Sequence, residues 1–219
     1  MSITRREFLE ASAALSQAAA FLTAIPGSFV EQALAQGPST ADLMQPGALP
    51  DQIQGAENAP VTIVEYASMT CSHCATFHTT TYPALKSRYI DTGKARYVLR
   101  EFPLDPLAAG AFMLARCAGD GKYYPIVDTL FEQQKTWAFA QNPIPPLLKI
   151  AKDNGFTEQS FEQCLSNQKL LDGIEEIRQR AQKFGVTSTP TFFINGKIFR
   201  GSLSIEELEK QMQPFLKAS

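Results

Sequence analysis

The sequence predicts an α/β domain that is interrupted by an all-α insertion. Three features indicate this class: a strand–helix–strand unit over residues 61–102, a run of helices over residues 107–184, and a hairpin followed by a helix over residues 191–215. Because the helical run separates the two strand-bearing segments, we expect the α/β domain to comprise residues 51–105 and 186–219, and the helical insertion residues 106–185.

The strands are indicated by short runs of β-branched and aromatic residues. Residues 61–66 and 95–102 are too short for stable helices and carry the composition of buried strands. Residues 191–194 and 197–199 flank Asn195-Gly196, which is a strong signal for a two-residue hairpin turn. The hairpin therefore supplies the last two strands of the predicted sheet.

The helices are indicated by apolar residues that recur three and four positions apart. Residues 71–90 show this spacing between the first two strands, with a kink expected at Pro83. Ser204 to Glu207 forms a capping box that opens the last helix. The same spacing predicts the helices of the insertion over residues 107–118, 123–138, 146–154 and 158–184.

Composition and charge exclude some classes of function. The chain has 219 residues, of which 44% are hydrophobic and 19% charged, and its formal net charge is −2. These values are typical of a well-packed globular protein and not of a disordered one. No basic face or arm is evident in the sequence, so we expect no nucleic-acid partner.

The N-terminus has the features of an export signal. Arg5-Arg6 followed by Phe8-Leu9 resembles a twin-arginine (Tat) signal, and an uncharged stretch of about 15 residues follows that is short for a membrane span. Ala33-Leu34-Ala35 supplies a small-x-small cleavage pattern. We therefore predict a signal peptide over residues 1–35, cleaved near Ala35, and a flexible linker over residues 36–50. The Sec route, an uncleaved anchor and an attached amphipathic helix are the alternatives.

The residues that carry chemistry are Cys71-Ser72-His73-Cys74, where the first strand gives way to a helix. A thiol at a helix N-terminus faces unpaired backbone N–H groups, which favour the thiolate, and the thiolate is the nucleophile of disulfide exchange. We expect Cys71 at the exposed tip, Cys74 pointing inward as the resolving thiol, and Ser72 and His73 tuning the thiolate.

Two other interpretations of the cysteine pair remain open. Cys71, Cys74 and His78 are three potential zinc ligands on one helix, but no fourth is apparent, so we predict no metal and no other cofactor. The pair could also be a structural disulfide, although its place at a strand–helix junction favours redox chemistry. Apart from that metal role, His78 is expected on the helix surface without a function.

Several motifs together resemble the thioredoxin superfamily, and within it the DsbA family of periplasmic disulfide oxidoreductases. They are the strand–Cys-x-x-Cys–helix unit, the helical insertion, and Thr189-Pro190-Thr191-Phe192 followed by Asn195-Gly196-Lys197. The resemblance covers nearly all of residues 52–215. It implies a thioredoxin-like fold with an all-α insertion, a cis Pro190 beside the cysteines, and a Thr189 backbone that binds extended substrates. It also implies that Glu65 is a buried acid that relays protons for Cys74; Arg96 or Arg100 could pair with it.

The same resemblance implies a periplasmic oxidase that introduces disulfides into unfolded, reduced exported proteins and is reoxidised by a DsbB-type membrane quinone reductase. A monomer is expected, because a linker of about 15 residues leaves no room for a dimerisation domain. A reductase or isomerase using the same site is the alternative. A zinc- or peptide-binding module or a chaperone is the alternative from a different class.

The other two cysteines, Cys117 and Cys164, both lie in the predicted helical insertion. In an oxidising compartment, as in some bacterial relatives, we expect them to form a structural disulfide. Closing a loop of this length would stabilise the fold by about 4 kcal/mol in the chain-entropy model. Two buried free thiols or a second redox centre are the alternatives.

Overall fold

The computed structural model describes residues 37–119 and 121–217. The predicted signal peptide and Gln36 lie outside the described residues. A five-stranded mixed sheet forms the centre of the described chain, in the order β1-β3-β2-β4-β5. Its strands are β1 (Gln52–Gln54), β2 (Val61–Ala67), β3 (Ala95–Glu101), β4 (Thr191–Ile194) and β5 (Lys197–Arg200). β2 and β3 are parallel, and the other three pairs are antiparallel.

β2 is the central strand, and all seven of its residues are buried. This burial on both faces explains its nearly continuous apolar sequence. Within β2, Glu65 lies opposite Leu99 of β3 and Phe192 of β4. The one charged side chain of this strand is therefore held at the middle of the sheet.

The helical segment after β2 is regular only in parts. It consists of α2 (Ser72–Thr76), a π-helical turn (Phe77–Thr81), α3 (Tyr82–Leu85) and a second π-helical turn (Lys86–Ile90). Pro83 lies at the start of α3, between the two π-helical turns. Because proline has no N–H to donate, the helical hydrogen-bond ladder changes register around it. The predicted helix and the disturbance at Pro83 are thus both present.

Six helices lie in the described residues between β3 and β4. Two predicted helices are divided: residues 123–138 at Gln133, and residues 158–184 at Ser166 and Asn167. The side chain of Asn167 accepts a hydrogen bond from the backbone N–H of Leu170 and so starts a new helix, which the apolar spacing alone does not reveal. The helices are α4 (Pro106–Cys117), α5 (Tyr123–Glu132), α6 (Gln134–Trp137), α7 (Ile144–Asp153), α8 (Glu158–Leu165) and α9 (Gln168–Lys183).

The two faces of the sheet pack against two apolar clusters. The larger cluster joins the sheet to the segment after β2 and to the helical insertion, and it contains the fully buried Trp137. The smaller cluster, on the other face, includes Val64 and Tyr66 of β2 and Ile177 of α9. Alternate residues of β2 therefore point into different clusters, as expected for a strand.

The described part of the predicted linker makes specific contacts with the elements around it. It contains α1 (Thr40–Leu43), and Leu43 is 1% exposed. Arg100 donates to the carbonyl of Leu43 (2.6 Å), and Arg180 donates to the carbonyls of Asp42 and Gln45. These contacts come from two arginines of distant elements, which a local reading of Pro and Gly content cannot include; the flexibility of the segment stays a prediction.

A disulfide joins Cys117 at the end of α4 to Cys164 in α8, with a Cα–Cα distance of 6.1 Å. Cys71 and Cys74 are not bonded to each other. The hairpin turn carries positive φ angles at Asn195 (44°) and Gly196 (86°), as its sequence indicates. The last helix, α10 (Ile205–Leu216), begins after the Ser204 capping box. Within the part of the chain that the structure describes, no helix is long and apolar enough to cross a bilayer.

Candidate active site

Cys71 occupies the position just before α2, with extended backbone angles (φ −82°, ψ 116°). Its loop is held from the helical insertion by Gln134, whose side-chain amide donates to the carbonyls of Met69 (2.8 Å) and Cys71 (2.9 Å). Gln134 is itself buried at 3% exposure. The insertion thus fixes the backbone on which the reactive thiol is mounted.

A second set of bonds ties the same loop to the start of α4. The hydroxyl of Thr70 donates to the carboxylate of Asp105 (2.6 Å), and Asp105 caps α4 by accepting from the backbone N–H of Ala108 (2.8 Å). One carboxylate therefore orders both the reactive loop and the first helix of the insertion.

The environment of Cys71 favours the thiolate. A hydrogen bond from the Cys74 thiol lowers the pKa of Cys71 to about 5, assisted by the Thr189 side chain and the backbone amides of Cys74 and His73, whereas burial opposes the shift. Because the side chain is only half-buried, the sulfur is also accessible to reactants. An accessible thiol that is ionised at neutral pH is a competent nucleophile.

Cys74 has the opposite character. Its side chain is fully buried. Burial raises the pKa of Cys74 well above its usual value, and the hydrogen bond to Cys71 and the negative charge of Glu65 act in the same direction. Two thiols three residues apart are thus driven to different protonation states, which is the arrangement needed for one nucleophile and one protected thiol.

Pro190 lies beside the cysteine pair, and the Thr189–Pro190 peptide bond is cis. The Cys71 sulfur lies 3.3 Å from the carbonyl oxygen of Thr189 and donates to it in the thiol form. Pro190 is buried, whereas Thr189 is partly exposed. The structure therefore brings together Cys71, Cys74, Thr189 and Pro190, which are distant in sequence.

Ser72 and His73, which were expected to tune the thiolate, both have exposed side chains. His73 contributes to the low pKa of Cys71 through its backbone amide. The buried histidine is instead His78, which is 5% exposed. The expectation that His78 lies on the helix surface is wrong, because the helical segment turns this side chain towards the sheet.

Glu65 is fully buried, in agreement with the expected buried acid, but neither arginine pairs with it. Its Oε2 atom contacts Nε2 of His78 (3.2 Å) and accepts a hydrogen bond from the Tyr97 hydroxyl. Arg100 instead pairs with Asp51 (2.8 Å), and Arg96 donates to the hydroxyl of Thr62 (2.8 Å). Both arginines lie on β3, and alternate positions of a strand face opposite sides of the sheet. Arg96 and Arg100 therefore share the face opposite Tyr97.

Among the described residues, no group of three or more His, Cys, Asp or Glu side chains is arranged to hold a metal ion. His78, the possible third zinc ligand, is directed to Glu65. Gln134 and Tyr97, like Thr70 and Asp105, contribute to the site but have no role in the sequence-based prediction. Their only sequence signals are an uncharged polar residue beside Trp137 and an aromatic residue in a strand, and both patterns are common in apolar cores.

Comparison with known proteins identifies the family. The thioredoxin family model matches residues 48–214. The chain belongs to the thioredoxin family. The crystal structure of Wolbachia pipientis α-DsbA1 superposes on this thioredoxin-family chain with a TM-score of 0.74 and 30% identity, covering 82% of this chain and 97% of that one. The predicted thioredoxin-like fold with a helical insertion is confirmed.

Other relatives agree with this assignment. A Rickettsia typhi protein with the provisional name protein-disulfide oxidoreductase is 37% identical over 150 residues, 67% of this chain and 55% of that protein. A Rickettsia prowazekii protein of the same name is 35% identical over 170 residues, 76% of this chain and 61% of that protein. This thioredoxin-family chain thus spans little more than half the length of these curated relatives. BdbD from Bacillus subtilis, at 20% identity and a TM-score of 0.68, shares the fold.

Proposed function

We propose that this protein is a thiol–disulfide oxidoreductase whose reactive centre is Cys71 and Cys74. The observation that carries the proposal is the contrast between the two thiols. Cys71 is half-buried with a pKa of about 5, and Cys74 is buried with a raised pKa. The names of the Rickettsia relatives and the likeness to α-DsbA1 support the same class of reaction.

We infer that the protein acts as an oxidase. A substrate thiolate attacks the Cys71 sulfur of the Cys71–Cys74 disulfide, and the electron pair of the broken bond leaves on Cys74. A second substrate thiolate then attacks the substrate sulfur of the mixed disulfide, and Cys71 leaves as a thiolate. The substrate is oxidised by two electrons, and the enzyme is left as a dithiol. A low pKa of Cys71 favours this direction, because it stabilises the reduced enzyme and makes Cys71 a good leaving group.

The substrates in this proposal are reduced, unfolded proteins in the periplasm. Thr189 is partly exposed and lies within 3.3 Å of the Cys71 sulfur, so an extended substrate segment could pair with its backbone while its thiol reaches Cys71. The same proposal includes export by the signal over residues 1–35 and reoxidation by a DsbB-type membrane quinone reductase. It also includes a monomeric state, a redox function for residues 71–74 and the domain boundaries given above.

The reduction potential of the Cys71–Cys74 pair tests the direction of the reaction. Equilibration of the protein with glutathione buffers should give an oxidising potential, well above that of thioredoxin at about −270 mV. A potential at or below the thioredoxin value would refute the oxidase and favour a reductase or isomerase. The matched control is the Cys117→Ala/Cys164→Ala variant, which leaves the reactive pair as the one that titrates.

A substitution tests the site itself. Cys71→Ser should abolish the catalysed oxidation of a reduced peptide, whereas Cys117→Ala/Cys164→Ala should retain it. Activity that survives Cys71→Ser would refute this reactive centre. Zinc analysis of the purified protein tests the alternative class: one zinc per chain, lost on oxidation, would favour a zinc-binding module.

A further inference from the structure

Glu65, His78 and Tyr97 form a buried polar cluster between the sheet and the helical segment after β2. The His78 and Glu65 side chains are 1% and 0% exposed, and their Nε2 and Oε2 atoms are 3.2 Å apart. The Tyr97 hydroxyl donates to the same Oε2 and lies 3.4 Å from Nε2 of His78. Two elements, β3 and the first π-helical turn, therefore each direct one polar group to the same carboxylate oxygen of Glu65 on β2.

The hydrogen bonds of this cluster are distributed unevenly. Oε2 of Glu65 has two partners, whereas Oε1 of Glu65 and Nδ1 of His78 are buried and have no partner among the described residues. A carboxylate oxygen accepts hydrogen bonds, and the Tyr97 hydroxyl donates its hydrogen to Oε2 and not to His78. The contact between Nε2 of His78 and Oε2 therefore requires that Nε2 carries a hydrogen. One oxygen of this buried acid, Oε1, therefore has no hydrogen-bond donor. Because buried polar atoms are nearly always hydrogen-bonded, Oε1 is a candidate for a functional contact.

The histidine ring is held in this orientation by aromatic neighbours. It stacks on Phe131 of α5 with ring centroids 4.3 Å apart, and it contacts Phe77 (5.6 Å) and Tyr82 (5.0 Å). A ring packed on several sides cannot turn away from Glu65 without displacing core side chains. The donor to Oε2 is therefore preorganised.

The ionisable groups that face His78 come from several elements. Glu65 comes from β2, Tyr97 from β3 and Tyr82 from α3, and Asp128 on α5 interacts with the histidine through charge. Burial raises the pKa of Asp128. The charge of Glu65 also acts on Cys74 and helps to raise its pKa. Cys74 and His78 are four residues apart in one helical segment, so their side chains lie on the same side of it. Glu65, which contacts His78, therefore lies on the side of the segment to which Cys74 also points.

We propose that His78 is a positioning residue for proton exchange at Cys74: by donating to Oε2 it fixes the Glu65 carboxylate and leaves Oε1 free for the Cys74 proton. This inference rests on the proposed function of the cysteine pair, and it assigns a role to a histidine outside the Cys-x-x-Cys motif.

When the Cys71–Cys74 bond is broken by a substrate thiolate, Cys74 leaves with the electron pair and takes the proton from Oε1, directly or through one water. The resulting carboxylate is stabilised by the donors on Oε2. In the reverse step, the Cys74 sulfur attacks Cys71 of the mixed disulfide, its proton passes to Oε1, and the substrate leaves as a thiolate.

The test is the pH dependence of this reverse step in a single turnover of a preformed Cys71 mixed disulfide. At low pH the rate should fall because a protonated Glu65 cannot accept the Cys74 proton; this fall is the acid limb of the rate profile. His78→Phe keeps an aromatic ring against Phe131 but removes the donor that stabilises the carboxylate. It should therefore move the acid limb to higher pH by about one to two units. His78→Gln supplies an amide donor and should keep the limb within about half a unit of the wild type. Glu65→Gln should abolish the limb.

Two further measurements make the outcome decisive. The alkylation midpoint of Cys71 should stay near 5 in both His78 variants, because the groups that set it do not include His78. If His78→Phe does not fold, His78→Leu removes the same donor and should shift the limb in the same direction. An unmoved limb in the variant that lacks the donor, or an equal shift in His78→Gln, would overturn the inference. A wild-type mixed disulfide that Cys74 does not resolve would overturn the proposed function as well.

Discussion

The low pKa of Cys71 should depend mainly on its neighbour, since the largest lowering contribution is the hydrogen bond from Cys74. Cys74→Ala removes this donor and Cys74→Ser replaces it with a hydroxyl. A hydrogen bond to a charged group contributes about 1.5 to 3 kcal/mol, and one pKa unit corresponds to about 1.4 kcal/mol. In Cys74→Ala we therefore expect the pKa of Cys71 to rise by one to two units, from about 5 to between roughly 6 and 7.

The ultraviolet absorbance of the thiolate, followed from acid to neutral pH, measures this midpoint. The sign is unambiguous: the folded-state pKa is depressed, so the wild-type thiolate persists down to about pH 5, whereas the Cys74→Ala thiolate is lost at higher pH. Cys74→Ser should titrate between the two. Rates of alkylation normalised to their plateau provide an independent midpoint.

A midpoint in Cys74→Ala that stays near 5 would refute this reasoning. The Thr189 side chain and the backbone amides of Cys74 and His73 would then have to stabilise the thiolate without the Cys74 thiol. A midpoint near the ordinary cysteine value of about 8.5 would also contradict it, because those amides and Thr189 would then contribute nothing.

Three further predictions concern the scaffold. Replacing both Cys117 and Cys164 by Ala should lower the free energy of unfolding by about 4 kcal/mol, measured by urea denaturation, and a loss below about 1 kcal/mol would contradict the loop-entropy estimate. Arg116→Met should cost about 3 to 5 kcal/mol, because it leaves the fully buried Glu101 carboxylate without its ion-pair partner, and the double variant with Glu101→Gln should recover part of this loss; an equal loss in both would exclude the charge explanation. Gln134→Leu should lower the free energy of unfolding by about 1 to 3 kcal/mol and slow thiol exchange, because the carbonyls of Met69 and Cys71 lose their donor. An unchanged exchange rate would show that the loop keeps its conformation without Gln134.

The sequence predicts the parts of this fold that depend on local patterns. The runs of β-branched residues mark β2 and β3 to within one residue, Asn195-Gly196 marks the hairpin, and Ser204 marks the start of α10. In each case, the turn or cap chemistry acts over a few residues. The cysteine motif is equally local, because it needs only a strand end and a helix start.

The features that the sequence did not predict depend on contacts between distant elements. Whether His78 faces solvent or the sheet depends on the turning of an irregular helical segment, and the apolar spacing of that segment does not determine it. Arg100 lies on the face of β3 opposite Tyr97, and there Asp51, 49 positions earlier in the chain, offers a bidentate partner. Long-range pairing of this kind is decided by the assembled fold, and no local pattern contains it.

The hydrogen bonds from Arg100 and Arg180 to the segment before β1 have a practical consequence for truncated versions of the protein. A shortened chain that begins at Asp51 would lack α1, and the Nη2 atom of Arg100 would lose the Leu43 carbonyl as an acceptor. Removing that segment would also strip Leu43 from the smaller apolar cluster. Recombinant versions should therefore retain the chain from Gly37 onward, with any N-terminal affinity tag placed before it. Limited proteolysis should cut this segment more slowly than its proline- and glycine-rich composition suggests.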